Sequence, residues 1–204
     1  YNTGALANGH IYIANLATSA LKIYYWDTPT SIPETLININ LSSIPGAGAR
    51  YGDNISVSID EKGNGFIFFG VNNSSNILRF NVTNHKVIDS PAILPSVADT
   101  KGFMGINRIV GTDQFIWSGV GTPIMLTDES ASIKYTINKK NTPLECIDPR
   151  IFTFNEERYL LTCSAGFGSS TTATPTIYVY NITAGKNVEE ALQKFDARVD
   201  HKPD

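Results

Sequence analysis

Apolar and polar residues alternate along most of the chain in short runs, the period-2 pattern of strands with one buried face. The clearest runs are HIYIANL at 10–16, GFIFFGV at 65–71, QFIWSGV at 114–120 and RYLLTCS at 158–164. A second series follows them: LKIYYWDT at 21–28, ILRFNVT at 77–83, PIMLTDE at 123–129 and TIYVYNIT at 176–183. Each member reaches Asp or Asn at the strand exit, namely Asp27, Asn81, Asp128 and Asn181, in steps of 54, 47 and 53 residues. These short side chains accept backbone N–H bonds and begin a turn.

A third series precedes the first: NISVSID at 54–60, GINRIVG at 105–111 and PRIFTFN at 149–155. The tight turns DEKGNG, GTDQ and NEER join it to the next strand. A weaker fourth series, ETLININ, HKVID, ASIKYTIN and KNVEE, closes each unit. Four antiparallel strands repeated every 40 to 50 residues predict an all-β fold, a β-propeller of about four four-stranded units. The units run about 1–45, 46–95, 96–142 and 143–204 of a single domain. A two-sheet β-sandwich explains the strand count but not the parallel series.

The first unit has no evident innermost strand before His10. In the last, Asn187 and Glu190 have capping-box spacing, and Val188, Ala191, Leu192 and Phe195 recur at helical intervals, so a short C-terminal helix is expected. The chain is therefore either a closed four-unit ring with one incomplete unit or about half of a larger propeller. Unprotected strand edges favour the second.

The stretch TIYVYNITAGKNV resembles the third strand and turn of YVTN-type and WD40-like propellers, and Trp26-Asp27 supplies one WD dipeptide. The Asn/Thr/Ser-rich style is similar to propeller domains of uncharacterised bacterial secreted or cell-surface proteins. That resemblance implies a binding or scaffold role and an extracellular, periplasmic or cell-surface location.

Composition changes the picture in two ways. Charged residues are only 17% of the chain and the net charge is −3, so the clustered basic face of a nucleic-acid binder is missing and no such partner is expected. No run approaches the roughly 18 apolar residues of a membrane span, and no leader pattern is read at Tyr1. If the strand at 150–154 pairs with that at 158–163, Phe154 faces Tyr159 and Cys163 opposes Arg150. Cys146 then lies ~13 Å away, beyond the ~7 Å reach of a disulfide, and two thiols are expected.

His10, His85 and His201 stand apart in the sequence and read as solvated polar residues, with no metal site and no cofactor expected. Asp53, Asp99 and Asp148 recur in equivalent inter-blade loops and are candidate carboxylates for a glycoside hydrolase or lyase at a channel mouth. Turn formation is the simpler role for them. The same loops carry Arg50, Tyr51, Lys101, Phe103, Arg150 and Phe167. Aromatic and guanidinium groups there can stack on and hydrogen-bond a glycan or a protein, so a non-enzymatic binding domain is the favoured function.

Overall fold

The computed structural model describes residues 2–44, 50–70, 77–89, 91–94, 105–118, 123–130, 132–138, 140–142, 146–164 and 176–200. Four antiparallel sheets follow one another along them, one per repeat unit. The first holds β1 (Thr3–Ala7), β2 (His10–Ala14), β3 (Ala20–Trp26) and β4 (Glu34–Asn40) in sequence order. The first unit thus has its inner strand, contrary to the sequence expectation. TGALA carries small residues of poor strand propensity, and the pairing is set instead by the turn. Asn8 and Gly9 both take positive φ, 49° and 83°, as a two-residue hairpin loop requires.

The second sheet comprises β5 (Ser56–Ile59), β6 (Gly65–Gly70), β7 (Ile77–Thr83), β8 (Lys86–Val87) and β9 (Ala92–Leu94). Its outer position is shared: β8 pairs with the end of β7 and β9 with its start. The third holds β10 (Ile106–Arg108), β11 (Gln114–Trp117), β12 (Met125–Asp128) and β13 (Ile133–Thr136). The fourth has three strands among the described residues: β14 (Cys146–Phe154), β15 (Glu157–Ser164) and β16 (Thr176–Asn181).

KNVEE, expected as the outermost strand of the last unit, instead opens α1 (Val188–Asp200). Asn187 is the cap: its Oδ1 accepts from the Glu190 N–H at 2.9 Å, while the Glu190 carboxylate accepts from the Lys186 N–H at 2.9 Å. The side chains Val188, Ala191, Leu192 and Phe195 are buried, as the helical spacing predicts. Replacing Asn187 with alanine is expected to cost about 1 kcal/mol, seen as a lower urea midpoint at unchanged m.

The β14–β15 register differs from the sequence reading. Asn155 and Glu156 alone form the turn, both at positive φ, so Phe154 faces Glu157 and Phe152 faces Tyr159. A bulge between Ile147 and Arg150 then places Cys163 opposite Ile147 rather than Arg150. Cys163 is a thiol, half-buried in the sheet. The side chain of Cys146 lies outside the described residues.

The chain divides into two compact units, Tyr1–Ile106 and Asn107–Asp204. In the first, the facing sides of the first two sheets share a core of Tyr12, Ile23, Tyr25, Ile67, Phe69 and Phe80, among others. In the second, Ile116 and Leu126 meet Leu160 and the helix residues Leu192 and Phe195.

Candidate functional site

The loops entering the inner strands are fixed by a repeated asparagine. Asn2 Nδ2 donates to the Gly52 carbonyl at 2.7 Å, and Asn54 Oδ1 accepts from the Ile106 N–H at 3.1 Å. In the second unit, Asn107 Nδ2 donates to Asp148 Oδ1 at 2.7 Å and to the Pro149 carbonyl at 3.0 Å. Each ties one inner strand to the entry of the next. Sequence reasoning missed these three residues, although their steps of 52 and 53 match the repeat.

On this frame Arg50 forms a two-point pair with Asp53, Nε to Oδ2 at 3.0 Å and Nη2 to Oδ1 at 2.9 Å. The guanidinium side chain is about one-third exposed. Arg150 and Asp148 repeat the arrangement in the fourth sheet, with Nε and Nη2 both 3.0 Å from Oδ2, and Arg150 is more open. The candidate carboxylates Asp53 and Asp148 are therefore each engaged by an arginine. Tyr51 has a different setting: it is fully buried, and its backbone bonds Ala17 in both directions at 2.8 and 3.0 Å. Gly52 follows at φ 90°, where a Cβ would stand 2.0 Å from the Asn15 carbonyl oxygen, so only glycine fits. Lys101, Phe103, Phe167, Asp99 and His201 lie outside the described residues.

At the opposite, hairpin end of the first unit, His10 and His85 come together from separate repeats, correcting the reading of both as isolated solvated residues. Their rings contact edge-on with centroids 4.7 Å apart, and Tyr25 stacks on His85 at 5.2 Å. The Tyr25 hydroxyl lies 3.0 Å from His10 Nδ1 and donates to Asp27 Oδ1 at 3.1 Å. Tyr12 reaches His85 Nδ1 at 3.4 Å. Burial, with help from Asp27, pushes the Tyr25 phenol up to about 12. Asp27 thus closes an aromatic network rather than a turn. By contrast, Asp128 accepts from the Ser130 and Ser132 N–H groups, and Asn181 from Thr183, as their strand-exit positions predict.

Desolvation first, and the neighbouring His10 second, lower the His85 pKa from 6.5, against the opposing pull of Asp27 and Asp60. A base whose folded pKa is depressed stabilises the fold above its unfolded value and withdraws that stability as pH falls. Thermal stability is therefore expected to decline as pH drops below 6.5 towards the folded pKa. His85→Gln should flatten that part of a melting-temperature profile against pH.

Among the described residues, no group of three or more His, Cys, Asp and Glu could hold a metal ion. None of their helices is long and apolar enough to cross a membrane.

A family model described as Domain of unknown function (DUF4623) matches residues 1–204. The chain belongs to the DUF4623 family. A DUF4623 family protein of known crystal structure from Bacteroides eggerthii DSM 20697 is 47% identical, with a TM-score of 0.82. That match covers 96% of this DUF4623 chain and 45% of the relative, so the chain spans less than half of the relative's length. More distant likenesses show the fold alone. A GH43 endo-arabinanase from Bacillus licheniformis matches at 11% identity and TM-score 0.56, covering 89% of this chain and 71% of its own. An alpha-L-arabinofuranosidase (CtGH43) from Clostridium thermocellum ATCC 27405 matches at 14% and 0.53, covering 78% and 59%. These neighbours and the four sequential sheets make the fold of this chain a β-propeller, with one helix after the last strand. No curated protein matches the chain.

Proposed function

We propose that the chain is a non-enzymatic binding domain of a bacterial secreted or surface protein, recognising a glycan through its inter-blade loops. The observation that carries this reading is an Arg–Asp pair in two units: Arg50 with Asp53 in the loop before β5, and Arg150 with Asp148 at the bulge within β14. A planar guanidinium beside a carboxylate offers donors and acceptors at the spacing of neighbouring sugar hydroxyls. Both carboxylates are held by arginine rather than presented alone, which favours recognition over acid–base chemistry. Tyr51 supports the Arg50 loop from its buried position in the first unit, and Lys101, Phe103 and Phe167 are proposed as ligand contacts from the sequence alone. The repeat is read as YVTN/WD40-like, supported by the Asn181–Thr183 turn that follows TIYVYN.

The GH43 arabinanase and arabinofuranosidase among the fold neighbours suggest the probes: arabino-oligosaccharides, titrated calorimetrically while reducing-sugar release is followed. Binding without turnover is expected, weakened at least ~10-fold by Arg50→Ala, about 1.4 kcal/mol or more. Turnover that disappears in Asp53→Asn or Asp148→Asn would instead establish the hydrolase. No binding and no turnover with any probe would overturn the glycan reading.

A further inference from the structure

Four residues before each strand-exit Asp or Asn the repeat places isoleucine: Ile23, Ile77, Ile124 and Ile177. The first three are 0%, 2% and 0% exposed, whereas Ile177 is 71% exposed. Two residues before the exit, Tyr25 and Leu126 are buried while Val179 is 56% exposed. The second repeat has Arg79, half-buried, at this latter position, so the isoleucine position is the one packed in all three earlier repeats and uncovered in the last.

The same face carries polar groups towards the hairpin end, Arg150, Tyr159, Glu157 and Asn181, beside its apolar residues. The register sets Ile177 beside Cys163, and Val179 beside Leu161, which in turn lies beside Arg150. Phe152 and Phe154 extend it along β14, at 41% and 61% exposure. Strand alternation puts all of these on one side of the sheet. Ile151 and Leu160, on the other side, are buried in the second unit's core.

Within this chain, such a face is covered by another sheet. In the first unit Ile23 and Tyr25 share a core with Ile67 and Phe69 of the second sheet. In the second, Ile124 and Leu126 share one with Ile151 and Leu160 of the fourth. More than half of the Bacteroides relative lies outside its match to this chain, enough chain to supply further sheets.

We infer that the Ile177–Val179 face of the fourth sheet is a docking surface for a further propeller sheet, supplied by additional polypeptide of the kind that relative carries. The aliphatic character of Leu161, Ile177 and Val179 suits the interdigitating side chains of a packed sheet better than the flat ring of a sugar. The first sheet has a second such face: Leu6 is 76% exposed and lies in register with Ile11, which pairs with Trp26.

Hydroxyl-radical footprinting of the full-length native gene product tests the assignment without a mutation. Val110, 92% exposed at a hairpin turn, is the internal reference. After correction for intrinsic reactivity, Ile177 and Phe154 are expected to be oxidised at least ~10-fold less than Val110, because sheet packing excludes solvent. Equal oxidation overturns the assignment. Protection that disappears on dilution also overturns it, since the cover is then a second copy. The double variant Ile177→Lys with Val179→Lys provides a second measurement in the same full-length protein. A fall in melting temperature of about 5 °C or more is expected from charges forced into a packed interface, whereas an unchanged melting temperature means the face meets water.

Discussion

Tyr51→Ala is expected to destabilise the first unit by roughly 3–5 kcal/mol, the loss typical of truncating a buried aromatic ring. The ring is 0% exposed in a core with Tyr12, Leu21, Ile44 and Ile55. The backbone at the same position closes the bridge to Ala17, so a collapsing cavity would also loosen the loop that carries Arg50. Urea denaturation gives the cost directly. Tyr51→Phe keeps the ring and should recover most of the stability. If Tyr51→Ala instead left the urea midpoint unchanged and only weakened oligosaccharide binding, the side chain would be a ligand contact and the buried-support role would be wrong.

Asp196→Ala should be comparably damaging, at about 3 kcal/mol or more. This carboxylate on α1 is only 6% exposed. It accepts from the Tyr135 hydroxyl at 2.7 Å, the Asn138 N–H at 2.9 Å and Asn141 Nδ2 at 2.8 Å. Alanine removes the one acceptor common to three donors drawn from the end of the third sheet. Asp196→Asn preserves the shape but aims an N–H₂ group at donors, so it should rescue little. Hydrogen exchange should show α1 opening ahead of the strands of the same unit. Exchange unchanged across 188–200 would mean that the apolar helix face alone holds it in place.

The repeat was legible because each strand series carries its own landmark. Asp128 and Asn181 mark strand exits through local hydrogen bonds, and those depend only on nearby residues. The helix was legible for the same reason, from the Asn187–Glu190 spacing. β1 was hidden because TGALA has none of the branched or aromatic residues that announce a strand, and its partner, not its propensity, makes it one. The β14–β15 register failed by a turn shortened to Asn155-Glu156, since two positive φ values in non-glycine residues are not written in hydrophobic alternation. The joining of His10 and His85 was hidden more deeply. Residues 75 positions apart meet only because two repeats stack, and each alone looks like an ordinary solvated imidazole. The Arg50–Asp53 pair was within reach, three residues apart in sequence, but its recurrence as Arg150–Asp148 has the partners in reversed order.

The asparagine ties have a consequence for how the chain comes into being. Asn2 waits for Gly52, Asn8 for the carbonyl of Ile59 at 2.5 Å, and Asn54 for Ile106, with separations of 50, 51 and 52 residues. A polypeptide leaves the ribosome from its N-terminus at roughly 5–20 residues per second. Asn2, Asn8 and Asn54 are therefore made several seconds before the backbone groups they bond exist. During synthesis the first two repeats are thus tied down one repeat late, each waiting for chain that belongs to its successor.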